Sequence, residues 1–133
     1  MTKQFVFGVL AYVLPTFPLG YFWHLTIFKS HYESLQIYRD DIIIPFGLAS
    51  MVIQGAVWSY IYGRLFAGES VLRGALKFAA LAAPLAWTFM VLVVGAKHHM
   101  TSVPHFVAIE TAFTVVQYLV VSPLMALAYA SRK

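Results

Sequence analysis

The sequence predicts an all-α integral membrane protein whose four transmembrane helices form an up-down bundle. The chain has 133 residues, of which 61% are hydrophobic and only 11% are charged, far outside the composition of a soluble domain. A soluble fold of this length cannot bury that much apolar surface in one core. Four long apolar segments fill the chain as a single domain, residues 1–133. We predict spans at about residues 5–28, 42–63, 78–96 and 106–130.

Cysteine content and net charge exclude several classes of protein. The chain contains no cysteine, which removes disulfides, thiolate nucleophiles and cysteine-ligated metal sites. Nine Lys and Arg residues against five Asp and Glu residues give a net charge of +4. In a membrane protein this excess is better explained by topology and anionic lipid headgroups than by nucleic acid. The expected partner is the lipid bilayer, and a homo-oligomer or a membrane-complex partner is left open.

The first span is predicted from an uninterrupted apolar run. Residues 5–28 carry no formal charge, and these 24 residues are enough to cross a hydrocarbon core of about 30 Å. The run is too long for a cleaved signal peptide and lacks a small-residue cleavage site. Pro15 and Pro18 each remove a backbone N–H, so we expect a kink or local unwinding in the middle of this helix.

The first connection is predicted to contain a short helix lying in the membrane interface, near residues 31–39. Ser30 and Glu33 have the spacing of a capping box, and Asp40 and Asp41 are placed to cap the second span. An interfacial helix buries one face. Three residues at helical spacing provide that face: Tyr32, Leu35 and Tyr38.

The remaining spans carry packing and capping signals. Alanines in the third span allow close helix approach, and this span is predicted to be the shortest. Ser102 is expected to cap the fourth span, with Pro104 in its first turn. The second span has a stripe of small and polar residues on one face: Gly47, Ser50, Gln54 and Trp58.

The distribution of cationic residues predicts the orientation of the bundle. Short loops rich in Lys and Arg stay in the cytoplasm. Six of these residues fall on one side of the membrane and three on the other, which places both termini in the cytoplasm. The six are Lys3, Arg64, Arg73, Lys77, Arg132 and Lys133, and the three are Lys29, Arg39 and Lys97.

In this orientation all five histidines lie on or just below the outer face. Histidine nitrogens and carboxylates are ligands of divalent transition metals, so one hypothesis is a metal cofactor at this face. No pair of these residues has a ligand spacing along a helix, and histidines are also common at a membrane interface for no catalytic reason. The candidate metal ligands are His24, His98, His99, His105 and Glu110.

Glu110 is the only carboxylate inside an apolar segment, and an ionisable group in a membrane helix is read as a functional candidate. It shares a helix face with Thr114 and Gln117, which we predict to point into the bundle, towards an outer-half cavity. The alternative is that the polar groups of this stripe only join helices by hydrogen bonds. The candidate ligand-binding residues are Glu110, His24, Gln54, Thr114, Gln117 and Trp58.

Aromatic and polar residues recur at the span ends and along the polar faces: Gly20-Tyr21-Phe22-Trp23-His24, Tyr38-Arg39, Gln54-Gly55, Tyr60, Tyr62, Glu110 and Gln117. With these residues the chain resembles small, uncharacterised four-helix inner-membrane proteins of bacteria over nearly its whole length. The resemblance implies a fold and a location and brings no catalytic residues. The chain is also similar to small multidrug transporters in size and helix count, but their membrane carboxylate lies in the middle of the first span.

Three functions are therefore compatible with the sequence. The first is a non-catalytic module that binds a lipophilic ligand or partner helices at its outer half, and this is the function we predict. The second is a metal-dependent membrane enzyme or redox protein that uses the outer histidines and Glu110. The third is a small proton-coupled carrier in which Glu110 titrates. The sequence leaves the ligand, the oligomeric state and the choice between enzyme and accessory subunit open.

Overall fold

The computed structural model describes residues 2–130 and is helical, with no β-strand in this part of the chain. Four helices are long and apolar enough to cross a membrane: α1 (Lys3–Ile27), α3 (Ile44–Leu65), α4 (Val71–Lys97) and α5 (Val103–Tyr129). A short helix, α2 (Lys29–Leu35), follows α1 directly. The predicted four-helix membrane fold is confirmed, and the bounds of α1, α3 and α5 lie within three residues of those predicted.

The helices pack in an order that differs from their order along the chain. Helix α1 packs against α3 and α5, and α5 packs against α4. Helices α3 and α4 are consecutive in the chain, yet their backbones come close to each other at few positions. At the predicted inner end, Phe78 of α4 closes the space by contacting Trp58 and Tyr62 of α3, with ring centroids 5.7 Å apart in both pairs. Towards the predicted outer end, a cavity separates α3 from α4.

The predicted start of the third span at residue 78 is wrong, because α4 begins at Val71. Ser70 caps it, accepting the Arg73 N–H at 3.4 Å. The first turns carry Arg73 and Lys77, which both pair with Glu69. The hydrogen bond from Lys77 and the two cationic charges lower the pKa of the Glu69 carboxyl. The predicted bounds followed the apolar run, which starts at residue 78. The charged turns before it are helical as well, so the prediction missed them.

The helix predicted near residues 31–39 is present, but it is shorter and begins earlier. Helix α2 starts at Lys29 without a side-chain cap, so the capping box of Ser30 and Glu33 is wrong. Instead, Glu33 forms an ion pair with Lys29, at 3.6 Å. The helix ends at Leu35, and the next residue, Gln36, has a left-handed backbone conformation with a φ of 57°. Helix α3 has no side-chain cap either, and Asp41 accepts a hydrogen bond from Arg39 Nε at 2.9 Å.

Helix α1 passes through Pro15 and Pro18 without interruption, and its irregular turn comes later. The segment Trp23–Ile27 forms a wide π-type turn, so the unwinding predicted at the prolines is misplaced. Proline's fixed φ is compatible with a helix, whereas a wide turn re-aims side chains and is frequent at functional sites. A second wide turn, Thr88–Leu92, lies in α4. Both turns lie towards the predicted outer end.

Helix α2 is fixed onto the bundle rather than lying free on its surface. Tyr32 and Leu35 are buried, against Phe106 and Ile109 of α5. The connection between α4 and α5 adds hydrogen bonds, since the Thr101 N–H donates to the Leu35 carbonyl oxygen at 3.2 Å. The predicted apolar face of the interfacial helix therefore packs on α5 instead of on lipid, and it brings a tyrosine above the membrane carboxylate.

Candidate functional site

Glu110 points into the bundle, as the sequence predicted. Only 6% of the residue is exposed, and the three residues that follow it on the same helix face are buried as well: Thr114, Gln117 and Val121. Helical residues three or four apart share a face, and this stripe of α5 faces α1. Burying a carboxylate in an apolar environment is costly unless it gains hydrogen bonds or a countercharge. The surroundings of Glu110 provide both.

His24 is the first partner of Glu110. The wide turn at the end of α1 directs this ring across to α5, where its Nε2 lies 3.0 Å from Glu110 Oε1. The other ring nitrogen, Nδ1, lies 2.9 Å from the carbonyl oxygen of Gly20 in the preceding turn. The imidazole is therefore held at both nitrogens, one by its own helix and one by α5. Two of the residues predicted to form the site are thus in direct contact.

Tyr32 is the second partner, and the sequence analysis did not assign it to the site. Its hydroxyl donates to Glu110 Oε1 at 2.5 Å and accepts from Trp23 Nε1 at 3.2 Å. Burial, the charge of Glu110 and this hydrogen bond raise the pKa of the Tyr32 phenol, so it remains a donor. Tyr38 stacks on its ring, with centroids 5.2 Å apart. A buried phenol needs a polar partner, and that requirement was the signal available in the sequence.

Three cavities meet at His24. A polar one, the vestibule, has a volume of about 640 Å³ and is lined also by Tyr32, Lys29, Glu33, Arg39 and Asp40. An apolar one, the outer groove, has a volume of about 470 Å³ between α1 and the start of α3. The third, the interhelical cavity, has a volume of about 450 Å³ and is bordered by all four spans. Glu110 lines none of the three, whereas its partner His24 lines all of them.

The interhelical cavity has an apolar wall with a polar strip. Large side chains of α3, α4 and α5 form the apolar part, among them Met51, Trp58, Phe89, Met90 and Phe113. The polar strip is hydrogen-bonded within itself. Tyr12 O–H donates to Gln54 Oε1 at 2.7 Å, Gln54 Nε2 donates to Ser50 at 3.1 Å, and Gln117 Nε2 donates to Thr16 at 3.4 Å. The predicted candidates Gln54, Gln117 and Trp58 therefore share one cavity with His24.

The other candidates do not join this site. The Thr114 hydroxyl donates back to the Glu110 carbonyl oxygen at 2.9 Å, within its own helix. His98, His99 and His105 are exposed, and the His105 ring lies near that of His31, with centroids 5.3 Å apart. Among residues 2–130, no group of three or more histidine, aspartate or glutamate side chains is arranged to hold a metal ion. The pair His24–Glu110 has no third ligand of this kind.

The fold and the site define a multi-pass helical membrane protein with a buried His–Glu–Tyr cluster at the junction of three cavities. Comparisons with protein-family models, curated protein sequences and solved structures gave no match. The function has to be inferred from the geometry of the site itself.

Proposed function

We propose that this protein binds a lipophilic molecule in its outer half, with a polar end of that molecule at His24. The observation that supports the proposal is the meeting of two apolar cavities and one polar vestibule at this single side chain. Small-molecule sites are mostly apolar concavities of about 300–1,000 Å³ with a few convergent polar groups. The two apolar cavities have volumes of about 470 and 450 Å³, and the vestibule beside His24 supplies polar groups such as Lys29 and Arg39.

A lipophilic ligand fits the interhelical cavity better than a partner helix does. A helix with its side chains is about 10–12 Å wide, so it needs a continuous groove along a span. The cavity is instead closed at the inner end by Phe78 against Trp58 and Tyr62. Its mouth lies between α3 and α4, where the exposed side chains include Ile53 and Phe89, each 64% exposed. A molecule dissolved in the bilayer can enter by this side.

The test fills the cavity wall at Gly47, which borders both apolar cavities. A Cβ at Gly47 meets no atom within 4 Å, so Gly47→Phe is expected to fold and to occupy ligand space. Val52→Phe is the matched control, since Val52 is on the same helix and 45% exposed. Native mass spectrometry of the proteins extracted in mild detergent is the measurement.

We expect hydrophobic adducts on the wild-type protein and on Val52→Phe, with at least a severalfold loss on Gly47→Phe. Equal adducts on all three proteins would mean that the molecules bind to the outside of the bundle. A wild-type protein that carries no adduct after gentle extraction would contradict the proposal directly.

We also propose that both termini lie in the cytoplasm and that the protein resides in the inner membrane, which agrees with the resemblance to bacterial inner-membrane proteins. The support is the asymmetry of Lys and Arg between the two sides, with Arg132 and Lys133 lying outside the described residues. Reporter fusions after residue 133 and within the 98–102 loop are expected to report opposite sides. A periplasmic signal after residue 133 would reverse the orientation.

A proton-coupled carrier is the second candidate, favoured by one observation. Glu110 is buried against a histidine that faces cavities on its other sides. No comparable observation favours a metal-dependent enzyme or redox protein, since the described residues contain no three-residue ligand group. The carrier and the binding module share one structural requirement, namely that His24 and Glu110 act as a unit.

A further inference from the structure

We infer that His24 and Glu110 form a binding site for one exchangeable proton, held between Nε2 and Oε1 and open to the vestibule. The hydrogen bonds of His24 to Gly20 and to Glu110 determine where the protons of the pair lie. This holds whether or not a lipophilic ligand binds.

The Gly20 carbonyl oxygen fixes the first proton. A carbonyl oxygen only accepts hydrogen bonds, and it lies 2.9 Å from His24 Nδ1. Nδ1 therefore carries a hydrogen and donates it to Gly20. The partner of one ring nitrogen determines the protonation of the other, so a neutral His24 has an unprotonated Nε2 that can only accept.

The second proton follows from the contact with Glu110. Nε2 and Oε1 are 3.0 Å apart, and a bare nitrogen facing a carboxylate would bring two acceptors together. One hydrogen must lie between them. Either His24 is an imidazolium that donates to a carboxylate, or Glu110 is a carboxylic acid that donates to a neutral imidazole. The pair has the same number of protons and zero net charge in both arrangements.

Zero net charge explains how the cluster is buried at low cost. An unpaired ion in the bilayer interior is expensive, whereas a neutral pair with its hydrogen bonds satisfied is tolerated. Tyr32 O–H donates to the same oxygen at 2.5 Å, which stabilises negative charge on Glu110 and favours the arrangement with the proton on His24. Removing the shared proton would leave a net negative charge behind the imidazole.

The vestibule gives this proton a route to the outer surface. His24 and Tyr32 both line it, and His24 is only 18% exposed at its side chain, so exchange passes through this opening. The residues of α3, α4 and α5 that border the cavities around His24 include no charged side chain. The charged groups that line these cavities come from the segment after α1: Lys29, Glu33, Arg39 and Asp40. The titratable tyrosines are Tyr32 and Tyr38 of that segment, Tyr12 and Tyr21 of α1, and Tyr118 of α5.

Nitrogen-15 NMR of histidine-labelled protein tests the inference without any ligand, with His24→Gln used to assign the resonances. We expect Nδ1 of His24 to be protonated in the wild type and in Glu110→Gln. The Nε2 resonance should shift in Glu110→Gln to that of an unprotonated ring nitrogen, because the amide has no proton to share and donates an N–H instead. His105→Gln, at an exposed histidine, is the control and should leave the His24 resonances in place.

Exchange with deuterium oxide gives the second readout. The shared proton should exchange while the backbone amides of α5 remain protected. An unprotonated Nδ1, an Nε2 that is still protonated in Glu110→Gln, or exchange as slow as that of the α5 amides would each overturn the inference. The ligand proposal is separate, since Gly47→Phe tests the cavities and removes neither partner of the shared proton.

Discussion

Replacing Glu110 with leucine is expected to destabilise the bundle by about 3 kcal/mol or more. The substitution leaves Tyr32 O–H without its acceptor, although this residue is fully buried, and it also leaves His24 Nε2 facing an apolar side chain. An unpartnered buried donor or acceptor costs about 1–3 kcal/mol, and breaking a buried charged pair costs more. The larger apolar surface of leucine cannot offset this loss, because the side chain points inward and gains no lipid contact.

Glu110→Gln is the comparison that keeps one of the two hydrogen bonds. His24 Nε2 and Tyr32 O–H both contact Oε1, so the amide atom at that position can satisfy only one of them, and we expect a loss of about 1–2 kcal/mol, smaller than that of Glu110→Leu. Val115→Leu, at a position of α5 that is 54% exposed, controls for added apolar volume. The measurement is the unfolding free energy in mixed detergent micelles. A leucine variant as stable as the wild type would show that Glu110 is not buried against His24 and Tyr32.

Gly8→Leu is expected to cost about 3 kcal/mol, because Gly8 is where α1 approaches α3 and α5 most tightly. A Cβ there would overlap Ser59 Oγ and lie 2.9 Å from Tyr129 Cε2. Overpacking alone costs about 1–3 kcal/mol. The same shift would disturb the hydrogen bonds of Ser59, which donates to the Phe5 carbonyl oxygen at 2.8 Å and whose own carbonyl accepts from Tyr129 at 2.6 Å.

Gly47→Leu provides the matched control, since the substitution is identical and the space around Gly47 is empty. Thermal unfolding in detergent is expected to show a large loss of stability for Gly8→Leu and little change for Gly47→Leu. Similar behaviour of the two variants would mean that the three helices do not meet at Gly8 as described.

The four spans and the buried stripe of α5 were predicted correctly, because both depend on patterns among residues that are close along the chain. Four long apolar runs predicted the spans, and the spacing of Glu110, Thr114 and Gln117 predicted a buried stripe. His24 was among the candidates because it lies just below the outer face. The features that failed depend on local competition between caps. Ser30 and Glu33 have the spacing of a capping box, but α2 follows α1 so closely that its first turn starts two residues earlier, at Lys29.

Tyr32 is the part of the site that the sequence could not supply. It lies 78 residues from Glu110 along the chain, in a connection that was predicted to bury Tyr32 in the membrane interface rather than against a span. Only the turn between α1 and α2, together with the packing of Leu35 on α5, brings its hydroxyl down to the carboxylate. The hydrophobic periodicity of the sequence does not predict such a contact, because the two residues lie on separate helices that are far apart along the chain.

A density map of the wild-type protein, extracted with its native lipids and crystallised without added ligand, tests the proposed function most directly. We predict elongated density in the interhelical cavity or the outer groove, with one end beside His24, where these cavities meet the vestibule. Cavities that contain only water-sized density, or that are closed by movement of α4 against α3, would contradict the proposal that this protein binds a lipophilic molecule.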